Sequence, residues 1–405
     1  MKMLANTTTI DHMPRVAVVD AGRFLGARGG GGQIMRPMLT AMSVALNTDD
    51  TIFANDGSRI RDLDSTPAGG LTTKAARVRR RLIRTTQEHV PLPLFTWLTG
   101  LYDVYHYVGL SLRPRVPYRR LILSVYDLGG ERWPDEGRFP RWAASVLRQA
   151  ARIITISTSS KEDLCSYYGL RPDQIDVVYI GYDHHCFCPT PHPADAAHVR
   201  SAVSGLTDPY ILCAGGLTQR KNIARLLDAF ARFHSATAAS QRLVITGVAP
   251  HSEAGMRYVN RSRDLGIADC VLLPGYLSDE VMPALYRRAE AVVVPSLYEG
   301  FGLPLVQAMA SGTPVLASHS SSLPEVAGDA ALLVDATSID DLAGGLARIT
   351  ADDGLREALR RRGPERAVTF SWERCARETV AIYQDVAARA AAPSRRSRRA
   401  GAHRT

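Results

Sequence analysis

No stretch of this chain approaches the ~18 consecutive apolar residues that a membrane-spanning helix requires. The opening residues, Met1 to Pro14, are polar and lack the apolar core of a secretory signal. Cysteine is sparse: six residues, at 165, 186, 188, 213, 270 and 375, with one local cluster, Cys186-x-Cys188 beside His184 and His185. That spacing is not a zinc ribbon and no second pair follows, so the cluster reads as an inter-domain loop and no metal ligand is assigned. Free thiols in a reducing cytoplasm are the simplest account of this usage. No module of interleaved aromatic and basic residues accompanies the positive charge, so nucleic acid is not an expected partner.

What is present is ordinary for a globular protein: 45% hydrophobic and 22% charged residues over 405 positions, enough for two domains with separate cores. The net charge of +9 is unevenly spread. From Arg59 to Arg84 eight basic residues stand against Asp62 and Asp64, and Lys74 to Arg84 reads as a basic helix with a thin apolar stripe. After Pro393 come five arginines and no acid. Such segments are drawn to anionic surfaces, and peripheral contact with the inner face of a membrane competes here with a plain solvated face and tail.

Apolar runs alternate with helical spacing along most of the chain, the pattern of parallel sheets covered by helices on both faces. Arg15 to Asp20 reads as a first strand, Gly29-Gly30-Gly31-Gly32 as a loop close to a ligand, and Gln33 to Leu46 as a helix. Further strands are expected at 121–127, 152–157 and 176–181. In a second domain they are expected at 209–214, 243–246, 271–273, 291–294, 315–317 and 331–334. The Pro-, His- and Asp-rich stretch after Cys186 marks a linker. The resulting division is a disordered N-terminus 1–14, a first Rossmann-like domain 15–186, a linker 187–207, a second Rossmann-like domain 208–371, a helix 372–390 and a basic disordered tail 391–405.

The most informative stretch is Pro295-Ser-Leu-Tyr-Glu299-Gly300-Phe301-Gly302-Leu303-Pro304. It leaves the apolar run ending at Val294 and enters a helical segment, so an acid and two glycines sit where strand ends meet free amide donors at a helix N-terminus. Gly215-Gly216-Leu-Thr-Gln-Arg220-Lys221-Asn222 has the same setting, with two adjacent cations suited to a diphosphate. These segments resemble the donor site of the retaining, nucleotide-sugar-dependent glycosyltransferases of family 4: E-G-F-G-L-P-x-x-E and G-x-L-x-x-R-K-N. Ser321-x-Leu-Pro-Glu325-Val and Ser371-Trp372 extend the resemblance, which covers about residues 120 to 385 well and the first 120 only coarsely.

The resemblance implies a GT-B fold, two doubly wound parallel-sheet domains facing a cleft, with the final helix crossing back to the first. It implies that Glu299, Gly300, Phe301, Gly302 and Leu303 line the donor sugar and that Arg220 and Lys221 bind the pyrophosphate beside Gly216. It implies further that Gly275 and Tyr276 present backbone groups to the base, with Gly30 and Gly31 close to the ligand. Two departures stand out. The second Glu of the motif, which contacts the donor ribose, is Gln307, and the His that touches the donor sugar is Tyr126, followed by Asp127. Cations would stabilise the departing phosphate without a metal, and no D-x-D follows a strand. The expected activity is metal-independent transfer of a hexosyl group, with mannose the candidate, from a nucleoside diphosphate sugar to a glycan or lipid-linked acceptor. A soluble acceptor such as an antibiotic core, a non-catalytic descendant of such an enzyme, and a sugar-nucleotide epimerase are the alternatives.

Overall fold

The computed structural model describes residues 14–19, 37–38, 40–42, 52–53, 102–110, 113–133, 137–216, 218–237, 239–247 and 249–392. The glycine loop with Gly30 and Gly31, the basic segment Lys74–Arg84 and the tail lie outside them. Six strands, β1 (Val16–Val19), β2 (Ile52–Phe53), β3 (Val104–Val108), β4 (Leu121–Ser124), β5 (Arg152–Thr155) and β6 (Ile175–Val177), form one sheet in the order β2-β1-β3-β4-β5-β6. Six more, β7 (Tyr210–Ala214), β8 (Arg242–Thr246), β9 (Val271–Gly275), β10 (Ala291–Val294), β11 (Val315–Ser318) and β12 (Leu332–Val334), form a second in the order β12-β11-β10-β7-β8-β9. Every pairing is parallel. Near-continuous apolar strands such as Leu121-Ile-Leu and Ala291-Val-Val-Val suit sheets covered on both faces.

In the second sheet the winding reverses between β7 and β10. That switch point is where an open α/β sheet leaves a crevice beyond its strand ends. The loops after β7 and β10 carry Arg220-Lys221 and Glu299, so the topology itself brings the two motifs together.

Two segments join the sheets. Residues 187–207 hold more than a linker: Asp195–Ala202 is a helix, seated by buried Val199 and Val203. Arg287 grips Asp195 through two hydrogen bonds of 2.8 Å, from Nε and Nη2. A short helix held by one ion pair leaves little apolar periodicity, which is why the sequence reads as irregular there. Among the described residues no group of three or more His, Cys, Asp or Glu side chains could hold a metal ion, the cluster around Cys186 included. The second connection is the helix Trp372–Ala391, which Ser371 caps by accepting from the Arg374 N–H at 3.1 Å. Its buried stripe of Cys375, Ala376, Thr379, Val380, Tyr383, Val386, Ala387 and Ala390 packs against the first domain.

β3 is absent from the strands expected from sequence, although all five of its residues are buried. Its sequence Val-Tyr-His-Tyr-Val hides a core strand behind polar letters. His106 is 1% exposed and satisfied on both ring nitrogens, Nδ1 2.7 Å from Tyr383 Oη and Nε2 2.7 Å from Ser124 Oγ. Burial drives its pKa down to about 3. Folded His106 therefore stays neutral in mild acid, whereas the unfolded chain takes up a proton near pH 6.5. The stabilisation present above that pH is lost as pH falls, by up to about 1.4 kcal/mol per unit. We expect the denaturant midpoint of the wild type to fall between pH 6.5 and 5 and that of His106→Gln to fall less steeply; equal slopes would show that His106 is not held neutral.

Candidate active site

β7 ends at Ala214, and Gln219–Lys221 forms a single tight turn after it, so Arg220 and Lys221 stand at the entrance of helix Ile223–Thr237. β10 ends at Val294, and its loop carries Glu299 back across the same crevice. Glu299 is 6% exposed. Its Oε1 accepts from Lys221 Nζ at 2.5 Å and from Ser296 Oγ at 2.7 Å, and its Oε2 accepts from Arg220 Nη1 at 3.1 Å. Burial opposes the charge on this carboxyl, but Lys221 and Arg220 outweigh it and hold its pKa below the ordinary carboxylate value. The backbone of Glu299 is fixed as well: its N–H donates to Ser321 Oγ at 2.8 Å, and its carbonyl accepts from Ser322 Oγ at 2.9 Å.

The floor of the crevice is made of strand ends. Gly215, Gly247 and Gly275 follow or end β7, β8 and β9, all with positive φ. Gly247 donates its N–H to the Gly275 carbonyl at 2.8 Å, and a Cβ on it would come 2.9 Å from the Gly215 carbonyl oxygen. Lys221 lies over Gly215, its Nζ 3.4 Å from where a Cβ would be. The result is a floor of three glycines beneath a lysine, where no Cβ of their own stands between the backbone and an approaching phosphate.

The first domain meets this site at Asp127, just past β4. A Cβ on Gly300 would lie 2.8 Å from Asp127 Cβ and 3.0 Å from the Tyr126 carbonyl oxygen, so only glycine allows the two loops this approach. Asp127 Oδ1 accepts from the Gly129 N–H at 2.9 Å, which fixes its carboxylate at the start of the short helix Gly129–Arg132. Gly302 begins helix Leu303–Ala310 with φ 97°, where a Cβ would strike Leu323 at 2.6 Å.

The arrangement matches known proteins over most of the chain. The family model "Glycosyl transferases group 1" matches residues 197–366, and "Glycosyltransferase Family 4" matches residues 74–186. The O-antigen chain mannosyltransferase B of Escherichia coli is 32% identical over 71% of this chain and 76% of its own length. The chain belongs to glycosyltransferase family 4. The MMP alpha-(1->4)-mannosyltransferase of Mycolicibacterium hassiacum is 34% identical, over 66% of this transferase and 63% of the relative. Among solved structures, the sucrose-phosphate synthase of Thermosynechococcus elongatus superposes with a TM-score of 0.70 at 21% identity, covering 92% of this chain and 99% of that one. The two parallel-sheet domains of the transferase form a GT-B fold.

Within this frame, Glu299, Arg220, Lys221, Gly216, Gly275, Gly300, Gly302 and Asp127 gather around one crevice. Three expected side chains sit differently. Phe301 is 3% exposed and packs on Tyr179 and Phe370, with ring centroids 6.0 and 5.3 Å away, so its side chain belongs to the core and its backbone alone can serve the site. The Tyr126 hydroxyl is buried, beside Ser124 and Cys375, without a hydrogen-bond partner among the described residues, and it is the carbonyl of Tyr126 that meets the glycine loop. Gln307 Oε1 accepts from Tyr286 Oη at 3.3 Å, so its acceptor end is already engaged and its amide N–H groups are what it has to offer a ligand. Tyr276, by contrast, is 80% exposed at the rim beside Gly275, and Leu303 is half-buried. Sequence reasoning missed Ser296 and Gly247. The signal for Gly247 was there, since it follows the apolar strand β8 just as Gly215 follows β7; nothing marks Ser296, whose role needs the turn that folds it onto Glu299.

Lys221→Ala is expected to weaken binding of UDP or GDP by about 10- to 100-fold in titration calorimetry, and unchanged affinity would remove Lys221 from phosphate binding. Glu299→Gln frees both cations from their carboxylate. It should bind the same diphosphates at least as tightly as the wild type while sugar transfer falls by roughly 100-fold or more; weaker diphosphate binding would show that the carboxylate is needed to hold the cations in place for the phosphate.

Proposed function

We propose that this glycosyltransferase moves a hexosyl group, mannosyl in the first instance, from a nucleoside diphosphate sugar to a hydroxyl of a glycan or lipid-linked acceptor. Transfer proceeds with retention of anomeric configuration and without a metal ion. The observation that carries this reading is the pair of cations, Lys221 and Arg220, locked by Glu299 over the glycine floor at the switch point of the second sheet. Breaking the anomeric C–O bond leaves negative charge on the departing phosphate and positive charge on the sugar ring. Cations already held in place stabilise that separation without reorganising. The resemblance supports retention: the departing phosphate accepts the acceptor's proton on the face from which it leaves. Mannose and a glycan acceptor are supported by the names of the two relatives. No helix among the described residues is long and apolar enough to cross a membrane. The basic segment Lys74–Arg84 supplies the proposed contact with a membrane face.

A thermal-shift screen against GDP, UDP, dTDP and ADP, each with and without EDTA, tests the reading. A ligand at about 100 times its dissociation constant adds roughly 2.7 kcal/mol. A chelator-insensitive shift with one nucleotide is expected, and its base names the donor class; no shift with any of the four would overturn the proposal. With the nucleotide identified, Gln307→Glu should alter its affinity measurably, because an acid there replaces the two amide donors with a charge.

A further inference from the structure

Resting on this reading, we propose that Tyr298 and Glu325 are positioning residues that clasp the two domains together, so that the parts of the site contributed by each stay in register. Both belong to the second domain, and both reach the same helix of the first, Thr158–Tyr168. The Tyr298 hydroxyl donates to Asp163 Oδ2 at 2.9 Å and accepts from the Leu128 N–H at 3.0 Å. Its ring is 1% exposed, with the Arg132 guanidinium 5.0 Å from its centroid and Trp133 5.6 Å away. One turn earlier, the Glu325 carboxylate accepts from the N–H groups of Thr158 and Ser159, at 3.0 and 3.1 Å, and from Tyr179 Oη at 3.2 Å. A carboxylate on the first amides of a helix is favoured by both the hydrogen bonds and the dipole.

What makes this more than a domain contact is where the two arms originate. Tyr298 immediately precedes Glu299, and its carbonyl accepts from Arg220 Nη1 at 3.1 Å. Glu325 follows Ser321 and Ser322, which hold the Glu299 N–H and carbonyl. Ser321 takes φ 50°, a strained value for a residue with a side chain, and the turn it makes presents its hydroxyl to Glu299. On the other side, Ser160 of the clasped helix donates to the Tyr126 carbonyl at 3.0 Å, and Leu128 follows Asp127. The atoms that fix Glu299 and the atoms that fix Asp127 are thus tied to one helix. Opening the domains would move Asp127 away from Gly300 while leaving the Lys221–Glu299–Arg220 group intact, because all of that group lies in the second domain.

The test uses the full chain with Tyr298→Phe, Glu325→Gln and the double variant. Tyr298→Phe removes both hydrogen bonds and keeps the ring. Small-angle X-ray scattering without ligand reads the domain arrangement, calorimetry with GDP and UDP reads the second domain, and nucleoside diphosphate release from GDP-mannose and UDP-glucose reads turnover. We expect a larger radius of gyration for the double variant, nucleotide affinity within about twofold of wild type, and kcat lower by roughly 10- to 100-fold. Asp163→Ala should open the domains little further when added to Tyr298→Phe, since the bond the two residues share is already gone and the other partner of Asp163, Arg132, lies in the first domain as well. A double variant that stays as compact as wild type overturns the clasp, whatever the nucleotide results. One that opens but loses nucleotide affinity in step with turnover overturns the positioning role. Failure of the wild type itself to bind any nucleotide would instead count against the proposed function, and the scattering comparison would still decide the clasp.

Discussion

A single buried carboxylate, Glu299, carries the organisation of this molecule. A group 6% exposed can keep its charge only if that charge is matched, and the match comes from Lys221 and Arg220, 78 and 79 residues earlier in the chain. That requirement fixes the loop after β7 against the loop after β10, which closes the crevice at the switch point. Removing Glu299 leaves two adjacent cations unmatched in a place with little water, and removing either cation leaves the carboxylate to the other alone, so the three behave as one unit. A group assembled this way is a poor choice for stability alone, since apolar residues would serve as well. It is a good one for a site that must hold fixed positive charge in readiness for an anion.

The fold was legible wherever burial on both sides of a sheet wrote itself as an unbroken apolar run. β10 and β7 stand out at sight, and with them the two loops that matter. β3 did not, because its Tyr and His side chains are buried by making hydrogen bonds, which a hydropathy pattern does not register. The helix at Asp195–Ala202 escaped for a similar reason: an ion pair with Arg287 anchors it in place of a wide apolar face. Site residues followed the same division. The backbone-shaping glycines and the charged trio could be placed from local motifs. The orientation of a side chain could not. Phe301 and Tyr126 stand beside the charged residues of their motifs, yet their rings pack inward, and only the tertiary arrangement decides which side of a loop faces the crevice. Gln307 is an intermediate case, its substitution visible in sequence and its partner Tyr286 visible only in space.

The two domains therefore contribute unequally. The second gathers the Lys221–Glu299–Arg220 group entirely from its own residues, while the first offers Asp127 on a loop that is held from outside. A division of this kind lets the second domain remain constant while the first diverges, and the family models match from residue 74 onward while the first 73 residues carry no match.

The hydrogen bond between His106 and Tyr383 spans 277 residues. During synthesis the first domain emerges with a buried histidine whose partner has not yet been made. Its sheet can form early, but its core stays unfinished until the last helix leaves the ribosome and docks. The order of translation is therefore not the order of completion. The first domain is complete only once the helix that carries Tyr383 has docked, and a chain truncated before Tyr383 would leave His106 one hydrogen bond short inside its own first sheet.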